Sequence, residues 1–305
     1  MSLARDHSDM ADAANTRAVR PDADPEISPL LIRKWAEEDQ AQRSRPFADE
    51  RARVRHSWSG KCSRALQYLI RKEPESNPPT EPDYYRFAVG RNVHELWQDL
   101  AIAALTDAGW TNVSPEYVVT TGSHEEPLSA GNGDLFAVSP TGRRTMFELK
   151  TINGFGFKSI IGTGNGPAGP RSSDLMQGAM NAFAADADDL KMVYLALELV
   201  SPSIARKAGL SDIGRFCAEW TVGKDTWLPI AVKERGRWEE VVAATDSDIL
   251  LAPSIPDPDL PPGAIITDPA TGRWDVTDSN GYITSSGRTW HCDYCSFRHK
   301  CQSDS

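Results

Sequence analysis

A chain of 305 residues, 40% apolar and 25% charged, is long enough to bury a core as one large domain with extensions or as two small ones, and its composition is that of an ordinary globular protein. The formal net charge of -10 at pH 7, from 33 Lys and Arg against 43 Asp and Glu, excludes a chain that holds nucleic acid by bulk positive charge; phosphate contacts would have to come from local clusters. The longest apolar stretch, near Met192 to Val200, is too short to span a bilayer, and the start carries no secretory signal pattern, which predicts a soluble, cytoplasmic protein with no membrane partner.

Residues 1–28 are polar, rich in Asp, Ala and Arg, and read as a disordered tail. The segment 29–72 reads as an N-terminal helical unit. Within it Pro29 to Glu50 carries Leu30, Leu31, Ile32, Trp35 and Ala36 among charges, the pattern of an amphipathic helix packed on the body. Arg51 to Lys72 holds seven basic residues and no acid. Such a stripe is either a footprint for a phosphate backbone or a solvated helix face. Trp58 and Tyr68 read as core aromatics rather than stacking platforms.

The segment 73–225 follows as the expected catalytic core. Asn77 to Asp83 is a proline-rich acidic loop, and Tyr84 to Ala108 a long helix stopped by Gly109. Its Phe87, Val93, Leu96, Trp97, Leu100, Ala101 and Leu105 recur at helical spacing and are expected to face the core. His94 stands one turn past Gly90; a lone helical histidine usually packs rather than ligates. Thr111 to Thr121 predicts a strand ending in a loop from Gly122 to Pro127.

Leu135 to Val138 and Thr145 to Ile152 then flank a Ser-Pro-Thr-Gly turn, which predicts an antiparallel hairpin. Folding about Thr141 and Gly142 brings Asp134 beside Glu148 and Leu149, and the pleat puts Glu148 and Lys150 on one face. Two converging carboxylates are commonly reconciled by a hard divalent cation, which makes Asp134 and Glu148 candidate ligands for magnesium or manganese. Lys150 is placed to orient an attacking water or neutralise charge on a phosphate. The same residues on a solvated surface hairpin would pair loosely and contribute little.

Beyond Ile152, Asn153 to Lys158 and the Gly- and Pro-rich residues up to Pro170 read as a mobile flap, without the Gly-Lys-Ser/Thr ending of a phosphate-binding loop. Lys158 reads as a solvated lysine. Ser172 or Ser173 is expected to cap a helix through Ala185, with Leu175, Met176, Ala179, Met180 and Phe183 buried and Gln177 near the hairpin. Leu190 to Val200 and Gly214 to Val222 predict two strands, the second with Cys217 as core filler. In 226–305, Trp227 to Ala244 predicts a helix broken near Arg235 to Arg237. A rigid connector from Pro253 to Pro262 and a small hairpin from Ile265 to Trp274 follow. Cys292-x-x-Cys295 and Cys301 then supply three soft ligands, one short of the four that tetrahedral zinc or an iron-sulfur cluster takes. His291 and His299 are further candidates for zinc. Five cysteines in a chain read as cytoplasmic argue against a disulfide framework.

Several of these residues together resemble a known family. Gly131-x-x-Asp134, the hairpin, and Glu148-Leu149-Lys150 are similar to the core of the PD-(D/E)xK nucleases in their RecB-like form, with Gly133 in place of the proline before the acid. Gly90-x-x-x-His94 is similar to the group's metal-binding histidine helix. Gln177 falls on its Gln-x-x-x-Tyr element, with Asn181 at the tyrosine. Lys61-Cys62-Ser63-Arg64 and Tyr68 resemble the Cys-Pro-Arg and downstream tyrosine of its iron-sulfur members, with Ser63 at the proline. The likeness spans roughly Trp58 to Cys301 and points to the CRISPR-associated exonuclease type, which bacteriophages also encode.

The resemblance implies an α/β (α+β) fold with a restriction-endonuclease-like core, a small mixed central sheet flanked by helices. It implies a cation held by His94, Asp134, Glu148 and the Leu149 carbonyl, with Lys150 and Gln177 assisting catalysis. It also implies a 4Fe-4S cluster on Cys62, Cys292, Cys295 and Cys301 that joins the N- and C-terminal segments, zinc at the same thiols being the alternative. The implied activity is Mg- or Mn-dependent exonuclease cleavage of single-stranded DNA ends or flaps, 5′ to 3′, in recombination, repair or CRISPR-type processing. The implied partners are DNA and recombination or CRISPR adaptation proteins. A non-catalytic, zinc- or cluster-stabilised DNA-binding or adaptor module is the competing expectation.

Overall fold

A computed structural model describes residues 33–34, 37–38, 41, 49–162, 168–256, 264–269, 271–277, 279, 283–289, 291–293 and 295–304. The tail at 1–28, the apolar positions 30–32, 35 and 36 of the first predicted helix, the flap residues 163–167 and the connector residues 257–263 lie outside them.

The hairpin is the centre of a six-stranded mixed sheet. Its strands are β1 (Val54–Arg55), β2 (Thr111–Gly122), β3 (Pro127–Val138), β4 (Arg144–Ile152), β5 (Asp189–Ala196) and β6 (Cys217–Gly223). The β3–β4 turn closes with Gly142 at φ +82°, which costs glycine nothing, and Ser139 Oγ accepts from the Arg143 N–H at 3.0 Å. Leu135 lies opposite Phe147 and Val138 opposite Arg144, the register that the turn predicts. One edge of β3 is covered by antiparallel β2; the other is divided between parallel β1 at Ser129–Ala130 and antiparallel β4 at Leu135–Val138. The strand therefore forks at Gly131 to Asp134. From β4 the order continues parallel to β5 and antiparallel to β6.

The α-helices with both bounds among the described residues are α1 (Ser63–Ile70), α2 (Glu81–Asp107), α3 (Gly154–Ile160), α4 (Ser172–Ala184), α5 (Pro202–Lys207), α6 (Lys224–Asp246) and α7 (Arg298–Ser303). The period-two alternation of β3 and β4 sends Phe136 and Met146 into the larger core, with Met180, Trp227 and Trp238 of α4 and α6. It sends Leu135, Ala137, Phe147 and Leu149 to the other face, against Trp97, Ala101, Ile102 and Leu105 of α2. Glu148 thus sits between two apolar neighbours on a strand buried from both sides, with no exposed surface. Beyond α6, β7 (Ile265–Asp268), β8 (Arg273–Thr277) and β9 (Ile283–Arg288) form a separate meander, one strand more than the predicted hairpin.

Several expectations are corrected. The long helix starts three residues earlier, at Glu81, where Thr80 and Asp83 form a capping box behind Pro82. Its Phe87, Leu96 and Leu100 are exposed, because a helix laid on one sheet buries a single stripe, and Leu96 and Leu100 lie about 100° round from Trp97 and Ala101. The first part of the predicted flap is helical: Asn153 Oδ1 accepts from Gly156 N–H at 2.7 Å and α3 buries Phe157 and Ile160. Ser172 and Ser173 lie inside α4 rather than capping it; its N-cap position is Arg171. Helix α6 runs unbroken past Arg235 to Arg237, since Gly236 is tolerated in a helix anchored by buried Trp227, Glu234 and Trp238. The two later strands are shorter than predicted, β5 ending at Ala196 and β6 beginning at Cys217.

Three arginines of the basic stripe form surface ion pairs within the chain, and a fourth is buried. Arg51 pairs with Asp49 at 2.6 Å, Arg53 with Asp246 at 2.7 Å and Arg71 with Asp248 at 2.8 Å, while buried Arg64 donates to the Leu251 carbonyl at 2.9 Å. Tyr68 is core, as expected, and its hydroxyl donates to Asp304 at 2.8 Å; Trp58 is half-buried beside the larger core.

Where β3 forks, Gly131 lies against the His56 ring, and a Cβ there would stand 2.6 Å from His56 Cβ and Cγ. Gly131→Ala is expected to destabilise the fold by about 1–3 kcal/mol, the usual range for overpacking, read as a lower urea midpoint at unchanged slope.

Candidate active site and cysteine cavity

At the fork, Asp134 is gripped from three directions. Its Oδ2 accepts from the Leu149 N–H at 2.6 Å, its Oδ1 stands 3.5 Å from His94 Nε2, and its backbone carbonyl accepts from Gln98 Nε2. His94 and Gln98 lie one turn apart on α2, so one helix face fixes both ends of the residue. The hydrogen bond to Asp134 raises the His94 pKa above its ordinary value, against the effect of burial. Across the hairpin, Lys150 Nζ donates to Glu148 Oε1 at 2.6 Å and to Gln177 Oε1 at 3.1 Å. Burial pushes the Glu148 carboxyl up to about 7, with the Lys150 ammonium opposing and the Asp134 charge adding. Burial also acts to lower the Lys150 pKa, but Glu148, Asp134 and Asp174 outweigh it and the amine is held charged.

The structure thus brings Asp134, Glu148, Leu149, Lys150, His94 and Gln177 to one neighbourhood. Sequence reasoning misses Gln98, whose signal is its i+4 spacing from His94, and it misses the second layer behind Glu148. Asn181 Nδ2 donates to Glu148 Oε2 at 2.9 Å, and Asn181 Oδ1 meets His56 Nδ1 at 2.7 Å. His56 Nε2 meets Ser129 Oγ at 3.0 Å, and Ser129 Oγ meets Thr121 Oγ1 at 2.6 Å. Every member of this chain is buried.

Burial lowers the His56 pKa from 6.5 to about 4, with the Asn181 bond opposing. The folded state therefore resists a proton that the unfolded chain accepts, and stability falls as pH drops from about 6.5 to about 4, by roughly 3 kcal/mol for a group this buried. His56→Gln is expected to flatten that part of the stability curve. Urea midpoints at half-unit pH steps check it; equal slopes for variant and parent would contradict the assignment.

The second cluster lies where α1 meets the C-terminal elements. Cys62, Cys292, Cys295 and Cys301 line one cavity of about 490 Å³, together with Asp174 and Gln177 of α4. Burial drives the Cys62 thiol up to about 11 and the Cys292 thiol up to about 12, and each is raised further by neighbouring cysteines. Among the described residues no three His, Cys, Asp or Glu side chains close on a common point in metal-holding geometry, here or at the carboxylates. The sulfurs share the cavity without forming a shell. Cys217 lies apart, beside the smaller core.

The segment carrying Cys62 is clamped by α6. Glu234, buried, accepts from the Gly60 N–H at 3.0 Å and pairs with Arg237 at 2.6 Å, while Arg237 donates to the Lys61 carbonyl at 2.9 Å. Ser63, where the resemblance has proline, donates its N–H to the Ser254 carbonyl at 2.8 Å, a bond proline has no hydrogen to make.

No family model matches the chain. A xyloglucan-specific endo-beta-1,4-glucanase, BoGH9A, of Bacteroides ovatus is 36% identical over 62 residues, so the match takes in 20% of this chain and spans 10% of that relative's length. Among solved structures, SSO0001 is similar at TM-score 0.49 and 14% identity, covering 92% of this chain and 97% of that one. The alkaline exonuclease LHK-Exo from Laribacter hongkongensis is similar at TM-score 0.36 and 13% identity, covering 64% of this chain and 90% of that one. Its complex with dAMP gives the same score and identity over 66% and 93%. At scores below 0.5 these likenesses decide neither fold family nor activity. No helix among the described residues is long and apolar enough to cross a membrane.

Proposed function

We propose that the chain is a metal-dependent DNA nuclease of the PD-(D/E)xK superfamily, RecB-like in type, acting 5′ to 3′ on single-stranded ends or flaps. The observation that carries the reading is the buried Glu148 carboxylate holding the Lys150 ammonium at 2.6 Å beside an Asp134–His94 pair at 3.5 Å. A purely structural hairpin gains nothing from an ion pair whose carboxylate has no exposed surface, since burying such a charge commonly costs as much as the pairing returns.

The donor set fits a hard divalent cation: two carboxylates, an imidazole and, by the resemblance, the Leu149 carbonyl, with Glu148 held at the edge of protonation where added positive charge would ionise it. When bound, magnesium or manganese supplies Lewis acidity to the scissile phosphate and lowers the pKa of a bound water. Lys150 orients that water and offsets charge on the phosphate, and Gln177 fixes the amine by accepting its hydrogen bond. Leu149 N–H and Gln98 hold Asp134 in place without a charge of their own.

The thiols likewise suit a soft metal: four sulfur donors line one cavity and, buried, are strained as thiolates unless a cation offsets their charge. A 4Fe-4S cluster on Cys62, Cys292, Cys295 and Cys301 is the favoured occupant and zinc the alternative, a choice that rests on the resemblance. A setting in recombination, repair or CRISPR-type processing, with partner proteins of those pathways, rests on it too.

The test is digestion of 5′-labelled and 3′-labelled single-stranded DNA with manganese, with magnesium and with EDTA. Progressive loss of label with a divalent ion, stopped by EDTA, is the expected result. Binding without cleavage under all three conditions would leave a non-catalytic module instead.

A further inference from the structure

The polar chain behind Glu148 has a direction that its hydrogen-bonding capacities fix. Lys150 Nζ donates to Glu148 Oε1 and Asn181 Nδ2 donates to Oε2, so Asn181 turns its carbonyl towards His56. That carbonyl requires a proton on His56 Nδ1, which leaves Nε2 as an acceptor for the Ser129 hydroxyl. Ser129 in turn accepts from Thr121. Four residues from four parts of the chain, His56, Thr121, Ser129 and Asn181, thus present one donor to one carboxylate oxygen, leaving Oε1 to Lys150. The imidazole has little freedom to turn: Trp238 stacks on it at a 5.8 Å centroid distance, and Gly131 abuts it with no room for a Cβ.

Building on the nuclease reading, we propose that His56 and Asn181 are positioning residues that fix the orientation of the Glu148 carboxylate for cation binding, His56 acting through Asn181. A packing role alone would need neither the amide polarity nor the single imidazole tautomer.

Two measurements test it. Long-range 1H–15N correlation on metal-free protein reads the tautomer directly, and His56 is expected to be neutral with its proton on Nδ1 between pH 6 and 8. A proton on Nε2 overturns the proposal. Manganese affinity, read by electron paramagnetic resonance on the full chain, is expected to fall about tenfold in Asn181→Leu and to stay within about twofold of the parent in His56→Gln, whose amide can still donate to Asn181. Ser129→Ala, a smaller change that removes the partner of both His56 Nε2 and Thr121 Oγ1, is expected to give a mixture of tautomers and about a fivefold loss, and it serves where Asn181→Leu does not fold. Parent-like affinity in a folded Asn181→Leu, or in Ser129→Ala with a mixed tautomer, overturns the proposal. Should the parent itself neither bind manganese nor cleave DNA, the nuclease reading falls and the positioning role with it, whereas Asn181→Leu and Ser129→Ala proteins indistinguishable from an active parent sink the positioning role alone.

Discussion

Lys150→Ala and Asp134→Asn are expected to lose about a thousandfold in the rate of DNA cleavage, the scale on which removing one group that stabilises a developing charge is felt. The two substitutions fail for different reasons. Asparagine at 134 keeps an oxygen to accept from Leu149 N–H, so the strand fork survives while the carboxylate charge beside His94 is gone. Alanine at 150 removes the cation from a carboxylate with no exposed surface, and Glu148, already near 7, then takes up a proton at neutral pH instead of remaining as an uncompensated buried charge. Both proteins are expected to keep the parent circular dichroism spectrum, and Lys150→Ala to unfold at a lower urea concentration. Initial rates on end-labelled single-stranded DNA with manganese decide the matter. Cleavage within threefold of the parent by either folded variant would remove the hairpin from the mechanism.

The second large effect is expected at the thiols. Arg64 and Cys301 lie 237 residues apart in sequence, so a metal bridging Cys62 to the C-terminal cysteines closes a loop whose entropy alone is worth roughly 5 kcal/mol. Protein purified without oxygen is expected to contain iron, with a broad visible absorption, or zinc if the alternative holds. Cys62→Ser and Cys295→Ser are expected to lose that metal and to melt at markedly lower temperature, with the strongest change in protease sensitivity around α1 and α7. A serine at Cys217, which faces the smaller core, is expected to leave metal content unchanged. Parent protein free of both iron and zinc, with the Cys62→Ser melting point unchanged, would leave the four sulfurs as ordinary buried side chains.

The sequence is most readable where geometry is short-range. A period of two, a four-residue turn and a residue count place Asp134 beside Glu148 and Leu149, because nothing distant bears on a hairpin register. It is least readable where burial depends on what lies opposite. Leu96 and Leu100 fit a helical apolar pattern, yet the sheet beneath α2 is covered by one stripe and they fall outside it. The Arg51–Lys72 run looks like a phosphate footprint until Asp49, Asp246 and Asp248 are brought to it from before and far beyond. Gly154 and Gly156 suggest a flap, but the Asn153 cap and the buried Phe157 and Ile160 outweigh two weak helix formers. His56 carries no local signal at all: its partners are Asn181, 125 residues on, and Ser129, 73 residues on. Asn181 reads from sequence as a damaged motif and in the fold becomes the group in direct contact with the carboxylate.

The clamp of α6 on Gly60 and Lys61 and the seat of α7 against α1 have a bearing on how the molecule is made. On a ribosome the hairpin and its two flanking helices emerge with His56 already synthesised but with the segment around it unfastened, because Glu234, Arg237 and Phe297 are still to come. Long-separated contacts form late, so on the proposed reading cleavage competence should arrive only when α6 and α7 dock. A nuclease of the proposed kind would in this way stay idle on the ribosome until the segments carrying Glu234, Arg237 and Phe297 have been made and have docked.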